Sequence, residues 1–343
     1  MSSSDSDYGR FPPPPGPPPQ ALAATATPGE LVEPEEDERV RFKWWKNAVL
    51  FALTVVSVFW VSAGLPWQLG FRAWEFAVPL LAILVAHESG HYIAARIHRV
   101  PASLPYFIPL PIFNPFGTLG AIILMPARIR SRNALLDIGA AGPLAGMLLA
   151  IPLMLWGLSL STLGPVSTHN YIQEGQCLLY WGLKYAVFGH IPAGQDVYLH
   201  PTALAAWVGF LVTFLNMLPF GQLDGGHVAF ALGGDRQNRI ARWMLYVPLA
   251  LAVYNFFRYA WPAIARGLGH GFGTLGIDDF LPGISSVVNW LLLFGLLYWM
   301  KRRAGSSHPP VDDNILSPSR RIVAAATLAL FVLLFMPSPW VSF

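Results

Sequence analysis

The chain has 343 residues, of which 54% are hydrophobic and only 12% are charged. This composition and a mean hydropathy of +0.46 exclude an ordinary soluble globular protein, and a formal net charge of +3 gives no support to nucleic-acid binding. The only cysteine, Cys177, excludes an internal disulfide and a Cys-rich zinc site, so a bound metal would need histidine and carboxylate ligands.

Residues 1–42 are predicted to form a disordered, proline-rich cytoplasmic tail. They contain no apolar stretch long enough for a signal peptide. The run from Pro12 to Pro19 favours the polyproline II conformation. Two interpretations stay open for it: a ligand for a proline-binding module, or a solvated extension without a partner.

The rest of the chain, residues 43–343, is predicted to be an all-α polytopic membrane protein with about 6–7 transmembrane helices, since a helix needs about 20 residues to cross a bilayer. The apolar stretches are Ala48 to Leu65, Phe76 to Ile97, Leu135 to Leu160, Pro201 to Leu218, Met244 to Ala263, Val287 to Met300 (which could start earlier, near Phe280) and Ile322 to Phe335.

The distribution of Lys and Arg between the stretches favours a cytoplasmic N-terminus by the positive-inside rule. Two regions between the stretches are not predicted to span. Residues 100–132 contain a β-prone run from Leu119 to Met125 behind Gly117 and Gly120, which predicts a short hairpin on the cytoplasmic side. The outer loop, 161–200, has an aromatic middle that could dip into the membrane interface or form a lid, and the sequence does not decide between them.

The sequence His87-Glu88-Ser89-Gly90-His91 fits the HExxH pattern, in which two histidines one helical turn apart can bind one Zn²⁺. Glu88 lies beside them on the helix, where its carboxylate could take a proton from a water and give it to a departing amine. The motif follows the apolar run from Phe76, which places His87 about 16 Å into the helix. Ionisable groups at that depth usually bind each other, a metal or a water-filled cavity. The alternative is a polar contact between helices.

A catalytic zinc needs a third protein ligand. Asp224 follows an apolar stretch, in a segment where Pro219, Gly221, Gly225 and Gly226 would break the helix and allow the chain to approach a metal on another helix. On spacing alone, Asp224 could equally cap the short helix that follows it.

The HESGH motif, followed by NMLPFGQLDGG over residues 216–226, resembles the site-2 protease family of intramembrane metalloproteases. The stretches 133–146 and 199–216 are similar to its bacterial and plastid members. The resemblance covers roughly residues 80–226, with a catalytic core expected at about 72–233. One departure is that the 161–200 loop is too short for the PDZ domain that many bacterial members carry.

The resemblance implies a zinc cofactor held by His87, His91 and Asp224, with Glu88 as the general base and acid. It also implies that Asn216 binds the substrate backbone or the oxyanion, and that the hairpin with Gly117 and Gly120 pairs with an extended substrate. Gly142 and Pro143 match the GP motif of the family, which indicates helix packing.

The function that follows is hydrolysis of a peptide bond in or near the transmembrane segment of a membrane protein, such as an anti-sigma factor or a membrane-anchored regulator. The resemblance suggests a bacterial inner membrane as the location; the lipid bilayer is a further expected partner, and the oligomeric state stays open. Two other classes of function are considered: a metal-ion transporter, which would need polar residues on several spans, and an inactive scaffold, which would not need Glu88.

Overall fold

A computed structural model describes residues 44–64, 72–112, 115–125, 129, 131–166, 171–271, 273, 275–304, 311 and 316–343. The predicted tail of residues 1–42 lies outside the described residues.

Helices dominate the described part of the chain and occur at each apolar stretch predicted above. They are α1 (Trp44–Gly64), α2 (Trp74–Ile97), α3 (Arg132–Ser159), α4 (Leu178–Phe188), α5 (Pro201–Asn216), α6 (Asp224–Gly233), α7 (Asp235–Met244), α8 (Val247–Asn255), α9 (Trp261–His270), α10 (Leu281–Ala304) and α11 (Pro318–Leu334). A π-helical turn (Phe256–Ala260) joins α8 to α9, and a 3₁₀ turn (Ile277–Asp279) precedes α10.

Among the described residues, five helical segments are long and apolar enough to cross a bilayer: Trp44–Ala63, Trp74–Ile97, Arg132–Ser159, Asp235–Gly269 and Leu281–Arg303. The fold is therefore that of a helical polytopic membrane protein. Helices α5 and α11 have 16 and 17 residues and are shorter than these five. The fifth predicted span starts earlier than expected because α7 continues into it, and α10 starts at Leu281, near the earlier of the two starts considered.

Helix α3 lies at the centre and packs against α2, α5 and α6. Its first turn is capped by Ser131, whose side chain accepts a hydrogen bond from the Ala134 amide. The main core forms where large apolar side chains of α2 and α5, including Phe76, Leu80 and Phe210, are fully buried against small residues such as Ala150 of α3. This arrangement brings the motif helix α2 into contact with both segments expected to complete the site.

The predicted hairpin is present as two antiparallel strands, β1 (Tyr106–Pro109) and β2 (Thr118–Ile122), with a β-bulge between Phe107 and Pro109. The glycine at 117 has φ of +78°, a conformation that L side chains rarely adopt. Its carbonyl accepts hydrogen bonds from Leu110 N and from Ser57 Oγ of α1. The hairpin is thus attached to the first helix.

The outer loop contains α4 and three short strands, β3 (Thr162–Pro165), β4 (Ile172–Glu174) and β5 (Gln195–Tyr198). β3 pairs with β5, and β4 pairs with β6 (Trp340–Ser342) at the C-terminal end of the chain. Helix α4 coincides with the aromatic middle of the loop and exposes Leu178, Trp181 and Tyr185 by 60%, 63% and 58%. These residues follow helical spacing on one side of α4, and the choice between an interfacial helix and a lid stays a prediction.

Candidate metal centre

Helix α2 presents His87 and His91 on one face, and both side chains are buried, as is Glu88 between them. The two imidazole rings are 4.9 Å apart, and their Nε2 atoms approach to 3.2 Å. The two rings contact each other, and His91 also contacts α3 through the Ile138 carbonyl. The predicted spacing of the pair is confirmed.

The third side chain comes from the segment between α5 and α6. Helix α5 ends at Asn216, and the chain turns before α6 begins at Asp224. The Asp224 Oδ2 atom lies 3.2 Å from His87 Nε2 and 3.3 Å from His91 Nε2. The capping alternative is not what the structure shows, because the N-cap position is Leu223 and no side chain caps α6.

The three ligand atoms form a nearly equilateral triangle that fits a tetrahedral metal ion. Bonds of about 2.0–2.1 Å to nitrogen and oxygen place tetrahedral ligand atoms about 3.3 Å apart, and the observed separations are 3.2, 3.2 and 3.3 Å. Asp224 Oδ2 is buried and accepts no hydrogen bond from the described part of the chain. These three residues are therefore a group that could hold a metal ion.

The imidazole of His91 is oriented by a main-chain group of α3. Its Nδ1 lies 2.7 Å from the carbonyl oxygen of Ile138 on α3. A carbonyl can only accept, so Nδ1 carries a proton, and Nε2 is the ring nitrogen directed at the triangle. Such a hydrogen bond from the second nitrogen is typical of metal-binding histidines.

Glycines on α2 and α3 make room for the two rings. A β-carbon at position 142 would overlap the imidazole of His91, and one at position 146 would come within 3.3 Å of His87 Nδ1. On the facing helix, a β-carbon at Gly90 would overlap the main-chain carbonyl of Ala141. The GP motif at Gly142 is thus a packing motif, as predicted, and the surface that it packs against is the ring of His91.

Asn216 stands at the edge of the triangle. Its amide Nδ2 lies 3.3 Å from His87 Nε2, so the last residue of α5 faces the same space as the three ligand atoms. Asn216 and the buried Glu88 are the two polar side chains beside the triangle that the sequence predicted, and the fold brings both to it.

Comparison with known proteins agrees with this arrangement. The profile of peptidase family M50 matches residues 75–254, slightly more than half of the chain. The chain belongs to peptidase family M50. This membership confirms the resemblance to site-2 proteases, and the matched segment extends beyond the expected core of 72–233 into α8.

Among curated relatives of this M50 chain, the protein named "Probable zinc metalloprotease EGY2, chloroplastic" from Oryza sativa subsp. indica is 32% identical over 229 residues, which are 64% of the chain and 41% of that protein. "Probable zinc metalloprotease EGY1, chloroplastic" from Arabidopsis thaliana is 34% identical over 189 residues, 53% of the chain and 33% of that protein. The chain thus spans about two fifths or less of the length of these relatives. No solved structure matches it.

The hairpin of this M50 member lies against α1 through Gly117, where a β-carbon would overlap the backbone of Ser57 and Val58. Gly120 has φ of +98° and open space where a side chain would start. β2 pairs with β1 along one edge, and this sheet has two strands. A role of Gly117 and Gly120 in substrate binding stays a prediction.

Two features of the M50 site were not found from the sequence. The Ile138 carbonyl is a main-chain group, so no residue type marks it, although it precedes the GP motif by one helical turn. Asp137 accepts hydrogen bonds from Arg320 on α11 and lies 2.7 Å from His98 Nε2, just beyond the end of α2. A charged residue within an apolar stretch was the available signal for Asp137.

Proposed function

We propose that this chain is a zinc-dependent intramembrane endopeptidase that cleaves membrane proteins in or near a transmembrane segment. The observation that carries the proposal is the triangle of His87 Nε2, His91 Nε2 and Asp224 Oδ2, with separations suited to a tetrahedral metal. Membership of family M50 and the printed names of the relatives support it.

The proposed roles divide between the ion and the residues around it. His87, His91 and Asp224 would hold the zinc, which when bound polarises the scissile carbonyl and makes a water molecule more acidic. Glu88 would accept a proton from the attacking water and donate it to the nitrogen of the departing amine. The amide of Asn216 would donate a hydrogen bond to the peptide oxygen on which negative charge develops.

The substrate must reach this site with an extended backbone, because the peptide bonds of a transmembrane helix are shielded by their own hydrogen bonds. The hairpin is the element suited to hold such a segment, since an unpaired strand edge can bind an extended peptide as an additional strand. We propose β2, with Gly120, as this edge, and membrane-anchored regulators such as anti-sigma factors as the substrates.

The proposed location is a bacterial inner membrane with the N-terminus in the cytoplasm. The excess of Lys and Arg in the segments assigned to the inside supports this orientation. The two relatives described above are named as chloroplastic proteins.

The test compares wild type with Glu88→Gln in lipid nanodiscs, with zinc content and cleavage of a model transmembrane substrate as readouts. Wild type is expected to hold about one zinc per chain and to cut the substrate. Glu88→Gln is expected to keep the zinc and to lose at least about 100-fold in cleavage rate, the lower end for loss of a general acid or base. Undiminished cleavage by the variant would refute the assignment of Glu88.

Wild-type protein that holds zinc but cuts no membrane substrate would instead favour the transporter or the scaffold. Zinc uptake into vesicles that contain the protein would then separate these two.

A further inference from the structure

Outside the metal ligands, one polar cluster joins the ends of three helices on the same side of the fold. Asp137 of α3 accepts three hydrogen bonds from Arg320 of α11: Nε donates to Oδ1 at 2.9 Å and to Oδ2 at 2.8 Å, and Nη2 donates to Oδ2 at 2.7 Å. His98 Nε2, one residue past the end of α2, lies 2.7 Å from the same Oδ2. We refer to His98, Asp137 and Arg320 as the helix-end cluster.

The helix-end cluster is one residue away from the group that orients a metal ligand. Ile138 follows Asp137, and its carbonyl accepts the hydrogen bond from His91 Nδ1. A shift of α3 by one residue along its axis would move this carbonyl by about 1.5 Å, enough to break a hydrogen bond of 2.7 Å. What fixes the position of α3 along α2 therefore also fixes the orientation of His91.

Helix α11 holds α3 at a second point in the same region. The amide of Ser317, directly before α11, donates a hydrogen bond of 3.1 Å to Asn133 Oδ1. Asn133 lies one turn before Asp137, so the start of α11 contacts two successive turns of α3. At the other end of α11, the rings of Phe331 and Phe335 contact Phe214 of α5, two residues before Asn216.

We propose that Arg320 is a positioning residue for the metal centre, acting through Asp137 and the Ile138 carbonyl on the orientation of His91. Helix α11 lies beyond residues 75–254, so this is a contribution from outside the segment that the family profile matches. The inference rests on the proposed function, because it requires that His91 bind a metal.

The geometry distinguishes this contact from an ordinary surface ion pair. The side chains of Arg320 and Asp137 are 31% and 24% exposed, and an isolated pair at such exposure contributes little. Here the guanidinium binds both carboxylate oxygens, which fixes direction as well as distance. Because His98 shares the same carboxylate, three helix ends are fixed relative to one another.

The experiment uses the full chain in nanodiscs, loaded with Co²⁺ in place of zinc so that the ligand geometry can be followed in the visible spectrum. Arg320→Ala is compared with Arg321→Ala, which removes the same charge from the next, exposed position of α11. We expect Arg320→Ala to shift the cobalt bands and to lose metal to a chelator about tenfold faster, the lower end of the range for residues that orient metal ligands. Arg321→Ala should match wild type in both.

Two further variants keep the test decisive. Arg320→Lys retains the charge but not the contact with both carboxylate oxygens. It should lose metal faster than wild type, and more slowly than Arg320→Ala where that variant folds. Adding Arg320→Ala to Asp137→Asn should not accelerate metal loss further, since the two residues act in series.

Equal spectra and equal metal-loss rates for Arg320→Ala and Arg321→Ala would overturn the inference and leave the proposed function intact. If Arg320→Ala does not fold, a wild-type rate of metal loss in Arg320→Lys would also overturn the inference. Wild-type protein that takes up neither cobalt nor zinc would overturn the proposed function, and the inference with it.

Discussion

Two buried polar clusters of this molecule differ in whether the chain itself supplies the partners of their charged groups. In the outer loop, the Lys184 ammonium lies 3.5 Å from Glu174 Oε1 and 3.3 Å from Asp196 Oδ1, and Tyr180 donates a hydrogen bond of 2.8 Å to Glu174. In the candidate metal centre, His87, His91 and Asp224 direct their side-chain N and O atoms at one another, and the described part of the chain supplies no Lys or Arg between them. The first cluster is satisfied by the chain itself, whereas the second has the form of a site that a metal completes.

Desolvation acts on both clusters, but its consequence differs. In the outer loop, burial raises the pKa of Glu174 above its ordinary value, and Lys184 and the Tyr180 hydroxyl partly offset this rise. Such a cluster ties β4, α4 and β5 together. The comparison teaches that burial of polar groups alone does not indicate a metal site, whereas convergence of three potential ligand atoms does.

The strongest way to break this comparison is to remove the candidate metal ligand that α6 supplies. Asp224→Asn should reduce zinc affinity on the order of 1000-fold, beyond the 10–100-fold typical of groups that only orient ligands. Asp235→Asn is the matched control, because Asp235 is also the first residue of a helix but is exposed. Zinc affinity measured by competition with a chelator checks this, and equal affinity in the two variants would remove Asp224 from the site.

A smaller effect, confined to stability, is expected in the outer cluster. Lys184→Met leaves Glu174 buried without its cation and should lower the free energy of unfolding by about 3 kcal/mol, while zinc content stays at the wild-type value. Lys46→Met, at an exposed position of α1, should change neither. Thermal unfolding and zinc analysis of both variants provide the measurement. Loss of zinc in Lys184→Met would mean that the two clusters are coupled.

The smallest change concerns the space around His91. Gly142→Ala places a methyl group against the imidazole and should destabilise the protein by about 2 kcal/mol through overpacking, with weaker zinc binding. Gly295→Ala, in α10, meets nothing within 4 Å and should be neutral or slightly stabilising. If the two alanine variants melt and bind zinc alike, the close approach of α3 to His91 is not a constraint.

Much of the site could be predicted from local sequence. The helical repeat places His87 and His91 on one face, and the helix-breaking residues after Asn216 allow Asp224 to turn toward them. The hairpin was predicted from glycine and β-branched residues, and the aromatic run 178–188 coincides with α4. These features depend on neighbours within a few residues, which the sequence displays directly.

Contacts between distant segments could not be predicted in this way. β4 and β6 are three residues each and carry no alternating pattern, so nothing in either segment specifies its partner. The contact of Arg320 with Asp137 joins residues 183 positions apart. The Ile138 carbonyl belongs to the main chain, so no residue type marks it. Each of these depends on how the helices pack together.

The most direct test of the central claim is X-ray absorption at the zinc edge on the purified, zinc-loaded chain. The triangle together with one water molecule predicts four nitrogen or oxygen ligands at about 2.0–2.1 Å. The outer-shell scattering of two imidazole rings should accompany them and disappear in a His87→Ala, His91→Ala double variant. Zinc without imidazole scattering, or a spectrum unchanged by the double variant, would contradict the assignment of this site as the metal centre.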